Sequence, residues 1–175
     1  MTDLSVIGKR VKNIDALDKV TGGKHYPVNY TLPGMLHAKM LRSPYAHAKI
    51  KSIDVSAALE LPGVKAVLTP DEVPNKVYSP IYFMPTLALG CVQDMRVMSD
   101  HVRYAGQVVA AVAAVDEDTA ERALNLIDVE YEELPAVFNI PDALADGAPQ
   151  LHERGPGNIA KTAMFETGDP DGALE

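Results

Sequence analysis

HVRYAGQVVAAVAAVDEDTAERALNLIDVEYEELP, residues 101–135, decides how this chain folds. Within it, residues 108–115 read VVAAVAAV, eight apolar residues without a charge. A run that does not alternate marks an interior strand covered on both faces. Residues 104–107, YAGQ, read as the turn leading into it. Asp116 and Asp118 end the run and can cap a helix, and Asp118 with Glu121 three residues on fits a capping box. Ala120, Ala123, Leu124 and Ile127 then share one helical face, and Asn125 sits near the helix end. Residues 127–132 alternate: Ile127, Val129 and Tyr131 face inward, while Asp128, Glu130 and Glu132 face water. That acidic stripe is read as a solvated strand face, not as a catalytic carboxylate pair. Pro135 limits the strand. Strand, short helix and strand with brief loops predict a parallel, right-handed return. Val109, Val112, Leu124 and Val129 are expected to share one core.

Outward from this stretch, residues 35–41 read as a strand that Pro44 breaks. Residues 49–55 form a second strand, and the spacing of Ile50, Ile53 and Val55 predicts a bulge. Ser56 is placed to cap a short helix through Leu61, which Pro62 and Gly63 end. Residues 64–68 give a third strand. Pro70 at a first helical position marks a one-turn helix start over residues 69–73. A further short helix is expected near residues 141–145, with Asp142 in its first turn. Residues 1–25 look extended and polar, with a short edge strand at 7–11 and a surface turn at 16–23. The domain boundaries that follow are an N-terminal arm at 1–24, a folded domain at 25–146 and a C-terminal arm or linker at 147–175.

The composition excludes several classes. A chain of 175 residues is long enough for one good core. A net charge of -8 argues against a nucleic-acid partner, because phosphate binding needs a basic field. No apolar run is long enough to span a bilayer. Residues 1–20 lack the basic-then-apolar layout of a signal peptide, so the cytoplasm is the expected compartment. The one cysteine, Cys91, excludes an internal disulfide framework and any cysteine-based cluster or zinc site built from this chain alone.

Candidate chemistry is sparse. His25, His37, His47, His101 and His152 show no metal-ligand spacing. The pair Gly22-Gly23 before Lys24 lacks the Ser or Thr and the helix that a phosphate loop needs. Cys91 and Ser43 are the two nucleophiles that a small thiol or serine hydrolase would use, yet neither lies in a recognisable elbow or cysteine signature. A buried, inert thiol is the expected state of Cys91. Catalytic, cofactor-binding and metal-binding residues are therefore read as none.

Several segments together resemble a known family. They are residues 18–22 (DKVTG), 41–50 (LRSPYAHAKI), 61–69 (LPGVKAVLT), 102–114 (VRYAGQVVAAVAA), 127–135 (IDVEYEELP) and 168–173 (GDPDGA). In order and spacing they resemble the amino-terminal α/β-hammerhead domain of the large, molybdenum-binding subunit of the xanthine dehydrogenase and aldehyde oxidase family. The resemblance implies an α+β fold: a mixed sheet with short helices packed on it and extended N- and C-terminal arms. It also implies a parent enzyme that hydroxylates an aldehyde or aromatic heterocycle, or reduces a hydroxybenzoyl thioester. That parent carries molybdopterin, two-iron iron–sulfur clusters and flavin. No position here matches the glutamate that activates the metal-bound oxygen or the pterin-binding loops. The chain is thus expected to be an inert domain without a cofactor of its own. Its expected partners are the molybdenum-binding domains of the same subunit and the iron–sulfur and flavin domains or subunits. A stand-alone interaction module with the same fold is the alternative.

Two segments hold proline and aromatic residues outside the regular strands, as an interface does. One contributes Arg42, Ser43, Tyr45 and His47. The other, charge-free over residues 78–89, contributes Tyr82, Phe83, Met84 and Leu87. Gly106 and Gln107 join them from the turn. Exposed apolar surface of this kind also predicts self-association of the chain.

Overall fold

The computed structural model of the chain describes residues 7–78, 94–162, 167, 168 and 172. They divide into two compact units, Met1–Met35 and Leu36–Glu175. In the first, a short helix, α1 (Ala16–Thr21), stands where the sequence predicts a turn, and residues 7–11 form no strand. The reason is local. Lys19 Nζ pairs with Asp15 Oδ2 at 2.9 Å, one turn apart, and the Thr21 hydroxyl donates to the Leu17 carbonyl at 2.7 Å. Polar contacts hold this helix and no residue of it is buried, so hydrophobic periodicity does not reveal it.

The second unit carries β1 (His37–Arg42), β2 (Ala48–Asp54), α2 (Ser56–Glu60), β3 (Val64–Leu68) and β4 (His101–Val102). It continues with β5 (Val108–Ala114), α3 (Glu117–Leu124), β6 (Asp128–Glu133) and α4 (Ile140–Leu144). Two three-stranded sheets result, in the orders β1-β5-β3 and β4-β2-β6. The α+β architecture with short helices is the one expected, but the predicted parallel return is not found. Both neighbours of β5 are taken by β1 and β3, each antiparallel to it. The chain leaving α3 therefore crosses to the other sheet, where β6 lies antiparallel beside β2. The predicted bulge in β2 is present between Ile50 and Ser52.

The uncharged run forms the central strand of the first sheet, between β1 and β3, but it is not covered on both faces as expected, since Ala111 and Ala113 are only half-buried. Its alternate side chains serve two separate small cores. Val112 packs with Val67 and with Ala58 and Ala123 of α2 and α3. Val109, three residues earlier, turns to the opposite face and packs with Ala48 and Val102 of the second sheet. The single core expected from Val109, Val112, Leu124 and Val129 is thus split by β5, and Val129 is only half-buried. Alanine at 58 and 123 lets the helices approach the sheet closely. Each fully buried valine contributes about 1.5–3 kcal/mol.

Caps differ from the sequence reading in detail. The N-cap of α3 is Asp116, whose carboxylate accepts the Thr119 N–H at 2.6 Å. Asp118 lies inside the first turn, so its spacing to Glu121 is not a capping box. The Thr119 N–H holds the Asp116 carboxyl below its usual value. Lys39 of β1 pairs with Glu117 and ties the sheet to the start of α3. Ser56 lies within α2, and Asp54 Oδ1 accepts its N–H at 2.9 Å. Residues 69–73 make a turn instead of a helix, closed by the Glu72 side chain accepting the Thr69 N–H at 2.8 Å.

Candidate interface and the cleft beside it

The segment after β1 and the segment between β4 and β5 are far apart in sequence, yet they hydrogen-bond as one double loop. Arg42 Nη1 donates to the Gly106 carbonyl at 2.8 Å. The Gly106 N–H returns to the Ser43 carbonyl at 2.8 Å, and the Ser43 N–H to the Gln107 carbonyl at 2.9 Å. Gln107 fixes its own loop from within. Its Oε1 accepts the Arg103 N–H at 2.8 Å and its Nε2 donates to the His101 carbonyl at 3.0 Å. Gly106 has φ +88°, a conformation that favours glycine and closes this turn.

Six of the ten residues read from the sequence as interface thus come together: Arg42, Ser43, Tyr45, His47, Gly106 and Gln107. They do not play one part. Ser43 and His47 are buried and hold the loop from inside, whereas Arg42 is exposed. Tyr45 is half-buried with its ring 5.0 Å from that of Tyr131. Tyr82, Phe83, Met84 and Leu87 lie outside the described residues, as does Cys91. The Ser43 hydroxyl accepts the Tyr45 N–H at 3.1 Å and donates to the Tyr45 carbonyl at 3.3 Å. It is a turn-closing group without a histidine base among the described residues, which is not the arrangement a serine nucleophile needs.

Sequence reasoning missed the partner of His47. His101 meets it ring to ring, with Nε2 atoms 2.9 Å apart, while His47 Nδ1 lies 2.6 Å from the Pro135 carbonyl oxygen. It also missed a second pair, His152 Nδ1 on Asp94 Oδ2 at 2.7 Å. No spacing rule finds partners separated by 54 and 58 residues. Beside the double loop lies a cleft of about 390 Å³ whose lining includes Asp94, Arg96, Arg103, Tyr104 and His152. Arg103 Nε donates to the Leu151 carbonyl at 2.7 Å.

A second open surface lies on the first sheet. The register sets Ala38, Ala113 and Ala66 in one row and Met40, Ala111 and Leu68 in the next, all on one face. None is charged. Met40 is 55% exposed and Leu68 44%. Val109 continues this face but is covered by the second sheet. Among the described residues no three His, Cys, Asp or Glu side chains are placed to hold a metal ion, and no helix is long and apolar enough to cross a membrane.

Residues 21–135 match the family model for the aldehyde oxidase and xanthine dehydrogenase a/b hammerhead domain. The nicotinate dehydrogenase large molybdopterin subunit of Eubacterium barkeri is 36% identical over 173 residues, 99% of this chain and 38% of that protein. The xanthine dehydrogenase molybdenum-binding subunit of Escherichia coli O157:H7 is 39% identical over 158 residues, 89% of this chain and 21% of that protein. Among solved structures, quinoline 2-oxidoreductase from Pseudomonas putida 86 superposes with a TM-score of 0.71 at 36% identity, over 82% of this chain and 18% of that one. The aldehyde oxidoreductase from Desulfovibrio desulfuricans does so with a TM-score of 0.75 at 29% identity, over 85% and 17%. The chain therefore spans well under half the length of these relatives.

Proposed function

The chain belongs to the aldehyde oxidase and xanthine dehydrogenase a/b hammerhead family, and from that membership we propose that it is the structural and interface domain of a molybdenum hydroxylase large subunit. In this reading it holds no redox group and performs no chemistry alone. It braces the molybdopterin-bearing domains of the same subunit, which work with two-iron iron–sulfur and flavin partners in the cytoplasm. The parent reaction would be hydroxylation of an aldehyde or aromatic heterocycle, or reduction of a hydroxybenzoyl thioester. With one cysteine in the sequence, a two-iron cluster that requires four cysteine ligands cannot be held by this chain alone.

The observation that carries the proposal is the open sheet face. Six uncharged residues in two rows of three leave one side of an otherwise well-packed sheet uncovered. Exposed apolar patches of this kind mark surfaces that meet another protein surface. The double loop supports the same reading, because its hydrogen bonds hold Arg42 and the turn at residues 104–107 in one fixed arrangement.

A chimera tests it. The matching segment of the Escherichia coli O157:H7 xanthine dehydrogenase molybdenum-binding subunit is replaced by this chain, and molybdenum content and hypoxanthine oxidation are measured. A bracing domain supports a loaded, active chimera. A folded but metal-free chimera overturns the proposal in favour of a stand-alone module.

A further inference from the structure

The chain after β6 is held to the sheets differently from the chain before it. Among the described residues from 132 to 162, Gly155 alone is buried. No residue of α4 is buried, and its largest apolar side chain, Ile140, is 74% exposed. The segment is knitted to itself instead. The Asn158 side chain accepts the Leu151 N–H at 2.8 Å and donates to the carbonyls of Ala143 and Pro149 at 2.9 and 3.0 Å. Two polar clasps join this knot to the body of the domain. His152 Nδ1 lies 2.7 Å from Oδ2 of the buried Asp94, and Arg103 Nε donates to the Leu151 carbonyl at 2.7 Å. At its other end Arg103 belongs to the double loop. Its N–H donates to Gln107 Oε1 at 2.8 Å, so Gln107 fixes the backbone from which the clasping side chain departs. Among the described residues Gln107 bonds to Ser43, His101, Arg103 and Tyr104, none of them in the segment.

We infer that residues 139–160 open and close on the sheets as one unit, and that Gln107, acting through Arg103, sets how firmly the unit is held. Few buried apolar contacts put a region at the low end of local stability. A helix of five residues and a 3-10 turn of three have no stability of their own, so release from the clasps unfolds the whole segment. Gln107 is here a positioning residue, since it reaches the segment through another side chain. The consequence rests on reading the double loop as an interface: a partner that orders the loop also closes the segment.

Amide hydrogen exchange of the full chain, followed residue by residue by NMR, tests this. The reporters are the N–H groups of Leu151, Gly155 and Asn158, all bonded within the segment, and the reference is Val112 in the central strand. In wild type the three reporters are expected to share one protection, well below that of Val112. Asp94→Ala and Arg103→Gln each remove a clasp and are expected to speed the reporters about tenfold, with Val112 moved less. Gln107→Ala is expected to speed them too, and to add nothing further in an Arg103→Gln background. Arg103→Lys, which keeps the charge but not the Nε–H, stands in if Arg103→Gln does not fold. Reporters as protected as Val112 in wild type overturn the unit opening. A Gln107→Ala variant that leaves the reporters unchanged, or that speeds them equally with and without Arg103, overturns the coupling. Exchange is read on this chain alone, so either failure leaves the bracing role to the chimera.

Discussion

His47 Nε2 lies 2.9 Å from His101 Nε2, with the two rings stacked at 5.0 Å between centroids and 22° between planes. The Pro135 carbonyl, 2.6 Å from His47 Nδ1, has no hydrogen to give. His47 Nδ1 must therefore carry the proton, and in the neutral pair His101 Nε2–H donates to His47 Nε2. The contact ties β4 to the end of β6, where the Leu134 N–H also donates to the His47 carbonyl at 2.9 Å.

This pair makes stability sensitive to acid. Burial, then the Arg103 charge, then His47 hold His101 below the ordinary imidazole value; Asp100 opposes them and Lys49 adds a smaller lowering. An unfolded imidazole titrates near about pH 6.5. Above that pH neither state is protonated and His101 contributes no pH dependence. Below it the unfolded chain binds a proton that the folded chain takes up only at lower pH, so stability falls as pH falls. Urea midpoints at about pH 7.5 and about 5.5 are expected to drop for wild type and to drop less for His101→Gln. Parallel curves for the two proteins would show that the pair is not the cause.

Val112 is predicted to tolerate neither a smaller nor a larger side chain. It is 1% exposed, between Val67 and the alanines of α2 and α3. Val112→Ala removes two carbons and opens a void, a loss of about 2 kcal/mol. Val112→Leu pushes on Ala58 and Ala123, which have no rotamer to yield, at about 1–3 kcal/mol. Urea unfolding measures both. A neutral Val112→Leu would mean that the helices sit farther from β5 than their packing indicates.

The same residues show what the sequence carries and what it leaves out. The strand through Val112 is legible because eight uncharged residues permit few other environments. Helix α3 is legible because Ala120 and Ala123 share a face and an aspartate precedes them. The sequence leaves its cap open between Asp116 and Asp118, which offer the same chemistry, and only the position of the Thr119 N–H decides for Asp116. Strand partners were not legible at all. Whether β6 pairs with β5 or β2 depends on β1 and β3 having filled both sides of β5, a tertiary fact. The double loop is half visible: proline and aromatic residues mark 42–47 and a turn marks 106–107, but nothing in the sequence shows that the two bond to each other.

The open face separates folding from assembly. Met40 and Leu68 are exposed on strands at the two edges of the first sheet. Met40→Lys with Leu68→Lys is expected to change the stability of the chain by less than about 0.5 kcal/mol, as for other surface positions. The same pair in the xanthine dehydrogenase chimera is expected to lower molybdenum content and activity together. A doubly substituted chimera that loads as fully as the parent chimera would remove this face from the interface.

Two glycines distinguish backbone strain from crowding. Gly63 and Gly106 have φ of +100° and +88°. Alanine at either position meets a backbone cost of about 1–2 kcal/mol. At Gly106 nothing lies within 4 Å of the new carbon. At Gly63 it would stand 3.0 Å from Val115 Cγ2 and 3.1 Å from Thr119 Cγ2, while the Gly63 carbonyl accepts the Val115 N–H at 3.0 Å and resists a shift of the loop. Gly63→Ala is therefore expected to cost more than Gly106→Ala, by about 1 kcal/mol. Adding Val115→Ala removes one of the two crowding methyls, and Val115 is 46% exposed, so its own truncation costs little. The double variant Gly63→Ala, Val115→Ala should recover part of the loss, read as a non-additive coupling in a double-mutant cycle. If Gly63→Ala and Gly106→Ala unfold at the same urea concentration and the cycle is additive, crowding at the start of α3 has no part in the requirement for glycine at position 63.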